Sequence, residues 1–397
     1  MEEFNYLLAI ALILLSTKAL GLFSKLVKLP QVVGALIAGV IIGPACLGIV
    51  SGSEMLSEVS EIGVIVLMFA AGLETDIAEL KASGKASFII ALCGVIVPLI
   101  GGAAAAWFFG DPTDSMALLK NIFIGIILTA TSVSITVETL KEMGKLATRA
   151  GNAILGAAII DDILGIIALT IVISMADPNV NIGIVLLKIL GFGVFTAIAA
   201  IGYHYIFRKW TDNSPKKLRR YVVFSFVFCL LLSYCAEVFF GVADITGAFF
   251  AGLALSGTKK SDYIYKRFDT LSYMLLSPIF FAGIGLKVVL PDMTGDIILF
   301  TVIISIIALI TKILGCGLGA KICRYTNKEA LQIGVGMVSR GEVALIVANK
   351  GAVVGLMDEK FFAPIVIMVV LTTILTPILL KAVFSSKEKS TKEMATV

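Results

Sequence analysis

Charged residues, Gly and Pro cut this chain into a succession of apolar runs close to the length of a membrane crossing. A bilayer core about 30 Å thick takes about 20 predominantly apolar residues per helix. Runs of that kind fall at 4–24, 30–49, 58–78, 85–109, 119–139, 149–175, 182–207, 219–239, 243–258, 268–290, 296–322, 329–349 and 360–384, the ninth being short. Over 397 residues, 58% are hydrophobic and the mean hydropathy is +1.02. That is more apolar surface than a soluble core can bury, so the predicted class is an all-α polytopic membrane protein with thirteen transmembrane helices. The first run lacks a basic leader and a small-residue cleavage site, and is expected to be a retained span.

Charge placement orients these runs. Lys and Arg gather on the cytoplasmic side of membrane proteins. With the N-terminus outside and the C-terminus cytoplasmic, 24 of the 32 Lys and Arg fall in inside loops, among them Lys25, Lys81, Lys141, Arg149, Arg220, Lys260, Lys328 and Lys381. The outside loops then hold only Lys120, Lys287, Lys350 and Lys360. Adding or removing one span would destroy that asymmetry, and the expected location is the cell membrane. The net charge of +4 is accounted for by these loops and is no argument for a nucleic-acid partner. The six cysteines (Cys46, Cys93, Cys229, Cys235, Cys316 and Cys323) lack metal-ligand spacing and read as packing residues.

An odd number of spans has a consequence for symmetry. Six helices, a linker helix and six more give two halves inverted across the membrane, an arrangement typical of secondary transporters. In each half the fifth span is polar and interrupted: Thr129-Ala-Thr-Ser-Val-Ser-Ile-Thr in one, Gly334-Val-Gly-Met-Val-Ser-Arg-Gly-Glu in the other.

The chemistry lies in the sixth span, where Asp161 and Asp162 stand side by side in an apolar run. Burying one carboxylate at that depth costs about 2.5 to 3.5 kcal/mol on insertion scales, so two in succession point to a proton or cation site. Adjacent helical residues point about 100° apart, so the two cannot face one partner and must differ in role. Lys312, deep in the eleventh span, is the natural countercharge for one of them; the other is left to face a water-filled cavity. A carboxylate that titrates at working pH can hold a proton or a cation, not both, and that competition is the minimal chemistry of cation:proton exchange. Thr129, Thr131, Ser132 and Ser134 supply hydroxyl oxygens, and an unwound turn there would free carbonyls suited to Na+, K+ or Li+. Arg340 and Glu342, separated by Gly341, suggest a second broken helix with a local ion pair supporting it. No cofactor or enzymatic signature is expected, and the gated cation channel is the competing class.

Four stretches carry a family resemblance: Thr129-Ala-Thr-Ser-Val, Ile159-Ile-Asp-Asp-Ile-Leu-Gly, Thr311-Lys-Ile-Leu-Gly-Cys-Gly-Leu-Gly and Ser339-Arg-Gly-Glu-Val-Ala-Leu-Ile. With them the chain resembles, over nearly its whole length, the monovalent cation:proton antiporter superfamily, in the branch of NapA-type Na+/H+ exchangers and Kef systems. The resemblance implies inverted six-helix repeats with two crossed discontinuous helices. It also implies a core ion-translocation part at about 84–176 and 294–384, a dimerisation part at about 1–80 and 218–290, a linker helix at about 181–207, and a homodimer; residues 385–397 would be a short cytoplasmic tail. It makes Asp162 the residue that exchanges Na+ for a proton, Asp161 the partner of Lys312, and Thr131 and Ser132 polar ligands at the crossing. The Asp-Asp form goes with electrogenic Na+/H+ exchange in that superfamily. Kef-type systems usually carry another residue before the aspartate, which favours Na+ over a K+/H+ alternative.

Overall fold

The computed structural model describes residues 5–110, 114, 116–176, 182–213, 218–258, 260–287 and 295–385, and all its regular elements are helical. The expected tail from 386 onward lies outside the described residues. The elements are α1 (Asn5–Leu26), α2 (Gln31–Ile42), α3 (Glu54–Glu74), α4 (Ile77–Trp107), α5 (Ala117–Thr129), α6 (Val133–Glu142), α7 (Arg149–Ala176), α8 (Ile182–Asn213), α9 (Leu218–Phe240), α10 (Asp244–Leu255), α11 (Ser261–Leu271), α12 (Ser277–Leu286), α13 (Gly295–Ile322), α14 (Asn327–Gly336), α15 (Glu342–Val353) and α16 (Glu359–Ser385).

Every predicted run contains helix; among the described residues ten helices are long and apolar enough to cross a bilayer, so the count of thirteen crossings is not confirmed. The 30–49 and 243–258 runs hold the 12-residue helices α2 and α10, and 329–349 is divided between α14 and α15. A 12-residue helix rises only about 18 Å, well short of a bilayer core. The short pieces survive because long neighbours shelter them: α10 lies on α3, α2 between α1 and α12, and α14 between α13 and α16. The α3–α10 crossing is set by two glycines. A Cβ at Gly72 would sit 2.2 Å from the Phe249 carbonyl oxygen, and one at Gly252 2.2 Å from that of Phe69. Small residues at such crossings let backbones meet, which is how helices associate where lipid is as apolar as leucine.

Helix ends follow from local sequence. Ser53 caps α3 by accepting from the Leu56 amide, Asp76 caps α4 through Ala78, and Thr326 with Glu329 forms a reciprocal capping box on α14. Between α11 and α12 a π-helical turn covers Ser272–Leu276. Pro278, which has no amide proton to give, stands just beyond it, and the Ser272 and Ser277 hydroxyls bond at 2.7 Å. His204 on α8 meets the Ala254 carbonyl at 2.8 Å, satisfying one of the last carbonyls of α10. The packing reading holds for the buried Cys229 and Cys316, whereas Cys46, in the turn after α2, is exposed.

Residues assigned to one side of the membrane from charge alone come together at one end of the molecule. Lys25, Lys145, Arg149, Lys328 and Lys381 border a single cavity, and Lys141 pairs with Asp269 at 2.6 Å. Lys120 bridges Asp114 and Asp358, and Lys360 donates to the Phe109 carbonyl, at the opposite ends of the same helices. α4 packs against α5, α7 and α13, and α13 against α14 and α16. The outward faces of α1, α8 and α9 expose Leu15, Leu22, Leu190, Ile198, Val223 and Leu231, a surface suited to lipid or a second copy.

Candidate functional site at the crossing of two broken helices

Two interruptions meet in the interior. The first, residues 130–132 between α5 and α6, is extended, with Ser132 at φ −89° and ψ 102°. The second runs from 337 to 341 between α14 and α15. They hold each other like two rungs of a ladder. The Ser132 amide donates to the Ser339 carbonyl at 2.7 Å, and the Ser339 hydroxyl donates to the Ser132 carbonyl at 2.8 Å. Gly341 is required by proximity, since a Cβ there would come within 2.8 Å of Ser132 Oγ.

A broken helix exposes carbonyls at the end of its first half and amides at the start of its second, and inside a membrane each must find a partner. Two buried cations serve the end of α5. Lys312 Nζ donates to the Thr129 carbonyl at 2.7 Å and to the Gly94 carbonyl at 3.0 Å. Arg340, fully buried, donates to the carbonyls of Leu128 at 2.7 Å, Ala308 at 2.9 Å and Val338 at 2.7 Å. Positive charge at a helix C-terminus is the favourable arrangement for its dipole. Hydroxyls serve the end of α14: Thr136 donates to the Gly336 carbonyl at 2.7 Å, and Thr131 reaches the Met337 carbonyl at 3.4 Å.

Lys312 is shared with the sixth span. Its amine lies 2.9 Å and 3.1 Å from the two carboxylate oxygens of Asp161, both residues being buried. Lys312 thereby ties Asp161 to the end of α5 at the first break. Asp162 follows on the next helical step, buried at 8% exposure against 2% for Asp161, and takes part in interactions of its own. Gly94 is set by a neighbouring cysteine: a Cβ there would lie 2.5 Å from Cys316 Sγ, whereas Lys312 Nζ, at 3.7 Å, would be in ordinary contact.

The structure therefore brings Asp161, Thr131, Ser132, Lys312 and Arg340 to the crossing, with Asp162 the next residue on α7, all named from sequence. Thr129 contributes its carbonyl rather than its hydroxyl, which bonds the Ile126 carbonyl of its own helix at 2.7 Å. The hydrogen bonds of Arg340 go to backbone carbonyls, and the side chain of Glu342, its expected partner, lies outside the described residues. Sequence reasoning passed over Thr136, Ser339 and Thr373. Thr136 and Ser339 bond each other at 2.8 Å across the crossing, and the Thr373 hydroxyl donates to the Arg340 carbonyl. The first two stand inside the polar stretches that were recognised; Thr373, in an apolar helix, carries no local signal. Replacing Arg340 with Met should orphan three buried carbonyls at about 1 kcal/mol or more each, a loss of roughly 3 kcal/mol or above, readable as a large fall in melting temperature in detergent.

The model of the family described as "Sodium/hydrogen exchanger, transmembrane" matches residues 9–385. The chain is 41% identical over 394 residues to the Na(+)/H(+)-K(+) antiporter GerN of Bacillus cereus, covering 98% of this chain and 99% of that one. It is 36% identical over 383 residues to a Na(+)/H(+) antiporter of Enterococcus hirae, covering 94% and 96%. Among solved structures, the sodium proton antiporter MjNhaP1 of Methanocaldococcus jannaschii superposes with a TM-score of 0.71 at 18% identity, covering 97% of this chain and 98% of that one. The crossing of two broken helices, the adjacent carboxylates of α7 with a buried lysine beside Asp161, and a match over nearly the whole chain place this protein in the sodium/hydrogen exchanger family of transmembrane antiporters.

Proposed function

We propose that the protein is a secondary active Na+(Li+)/H+ antiporter in which Asp162 is loaded alternately with a cation and a proton. The observation that carries this reading is the Lys312–Asp161 pair at 2.9 Å, because it neutralises one of two adjacent carboxylates and leaves its neighbour for the exchange. Thr131, Ser132 and the carbonyls of residues 129–132 are the oxygen donors nearest in kind to what a hard monovalent cation needs. Alternating access would come from a core of α4–α7 and α13–α16, which contains both breaks, moving against α1–α3 and α9–α12, with α8 as linker. The latter group would also carry the homodimer contact. In the cell membrane the N-terminus would face outward, and the end bearing Lys25, Lys145 and Lys381 would face the cytoplasm.

Two contacts bridge those groups at that end. Lys141 on α6 pairs with Asp269 on α11, and both carboxylate oxygens of Glu142 accept the Gln31 amide at 2.8 Å. Core movement would have to break them, so Asp269→Asn should shift the balance between inward- and outward-open forms and change the exchange rate without changing which cation is taken. The measurement is initial rate together with cysteine accessibility on either side.

The GerN name includes K+ alongside Na+, so potassium is the second substrate to weigh. The deciding test is reconstitution into liposomes with internal pH followed after addition of Na+, Li+, K+ or choline. Alkalinisation by Na+ and Li+ at concentrations where K+ has no effect supports the assignment; equal response to K+ makes it a Na+(K+)/H+ exchanger. Uncompensated cation flux with no proton movement would identify a channel and end the antiporter reading.

A further inference from the structure

At the end assigned to the cytoplasm lies a cavity of about 1030 Å³ that the exchange mechanism does not use. Its charged lining is unbalanced: Lys25, Lys145, Arg149, Lys328 and Lys381 against Glu142 and Glu329. Both carboxylates are already engaged within the protein. Glu142 accepts the Gln31 amide with both oxygens, and Glu329 Oε2 accepts the Thr326 amide and hydroxyl at 2.9 Å each, with the Arg149 guanidinium 3.5 Å away. Among the described residues, none of Lys25, Lys145, Lys328 or Lys381 pairs with a carboxylate.

A surplus of lysine on the cytoplasmic face is ordinary for a membrane protein, and Lys81 and Lys85 in the first turns of α4 show it as exposed side chains at one stretch of chain. Here the cations come from the end of α1, the α6–α7 connection and first turn of α7, the first turn of α14 and the end of α16, and they surround one concavity. Like charges gathered that way repel unless an anion sits among them. Two further facts favour an anion. α7 and α14, of 28 and 10 residues, both begin at this wall and direct the positive ends of their dipoles toward it. Arg149 is held over the Tyr325 ring at 4.3 Å, which fixes its position at the rim. Leu29, Met143 and Phe384 add apolar lining, and the volume is at the upper end of small-molecule sites.

We propose that this cavity binds a phosphate-bearing anion with an apolar or aromatic body, the chemistry shared by soluble organic phosphates and anionic lipid head groups. Resting on the core division proposed above, such a ligand would bridge α1 to α7, α14 and α16 and slow exchange by holding the two groups together.

The test uses the full chain in neutral detergent, with ATP and dihexanoyl phosphatidylglycerol as separate probes and dihexanoyl phosphatidylcholine as the neutral control. Melting temperature should rise saturably with at least one anionic probe and not with the neutral one. A response to ATP alone identifies a soluble phosphate; a response to phosphatidylglycerol alone identifies a lipid head group. The combined variant Lys145→Gln, Lys328→Gln and Lys381→Gln should raise the half-saturating concentration at least tenfold, while Lys81→Gln with Lys85→Gln leaves it within twofold. If the combined variant melts early without probe, Lys328→Gln and Lys381→Gln are each tested, with at least a threefold rise expected. No saturable rise with either anionic probe, or equal loss in cavity and control variants, overturns the site. In liposomes, a bound probe that leaves the exchange rate unchanged overturns the bridging role while the binding result stands separately.

Discussion

Asp162→Asn should abolish cation-dependent proton movement, with initial rates in liposomes falling at least about a hundredfold, to the level of empty vesicles, at every pH and for every cation tested. Asn fills nearly the same volume as Asp but cannot release a proton or offer a formal charge to a cation. The substitution removes both substrates from one position while leaving the packing of α7 in place, so the melting temperature should stay within a few degrees of wild type. That separation matters, because Asp162 sits one residue from the structural ion pair and a folding defect would also silence transport. Loss of rate with an unchanged melt assigns the exchange chemistry to this side chain.

Lys312→Met has the opposite signature. The three N–H donors of Lys312 go to the Asp161 carboxylate and to the carbonyls of Thr129 and Gly94, in a fully buried position. Removing one member of a buried pair leaves the other charge uncompensated, typically at about 3 to 5 kcal/mol, and here two carbonyls are stranded as well. A large fall in thermal stability is therefore expected. The double variant Asp161→Asn with Lys312→Met should recover much of that loss, since a buried pair exchanged for neutral groups is often close to neutral in stability. Near-additive losses in that double-mutant cycle would show that the two side chains do not act as a pair. In transport, both single variants should lose response to membrane potential, because the countercharge that fixes the charge of the loaded carrier is gone.

How much of this could be read from the chain differs from part to part, for physical reasons. The aspartate pair, the buried lysine and the two polar interruptions are legible because charge and hydroxyls at bilayer depth are costly and therefore conspicuous in a run of Ile, Leu and Val. Arg340 was legible as an oddity, but not its role. A guanidinium's five donors can go to carboxylate or to backbone, and only the crossing shows that it holds the carbonyls of Leu128, Ala308 and Val338. Hydropathy does not separate a full crossing from a short helix at α2 and α10, since a 12-residue apolar helix sheltered by long neighbours has the same composition as part of a span. The basic cavity was invisible for another reason: Lys25, Lys145, Lys328 and Lys381 each look like ordinary loop lysines until the fold brings them to one place.

The central claim is that cation and proton compete for one carboxylate. Its most direct test is the pH dependence of the apparent KM for Na+ in proteoliposomes that hold wild-type protein, with membrane potential clamped. Competition predicts that KM rises toward about tenfold per unit of falling pH, while the maximal rate at saturating Na+ stays nearly constant over the same range. A KM that stays flat while the maximal rate falls would mean that the proton acts elsewhere than on the cation site, and would contradict the account.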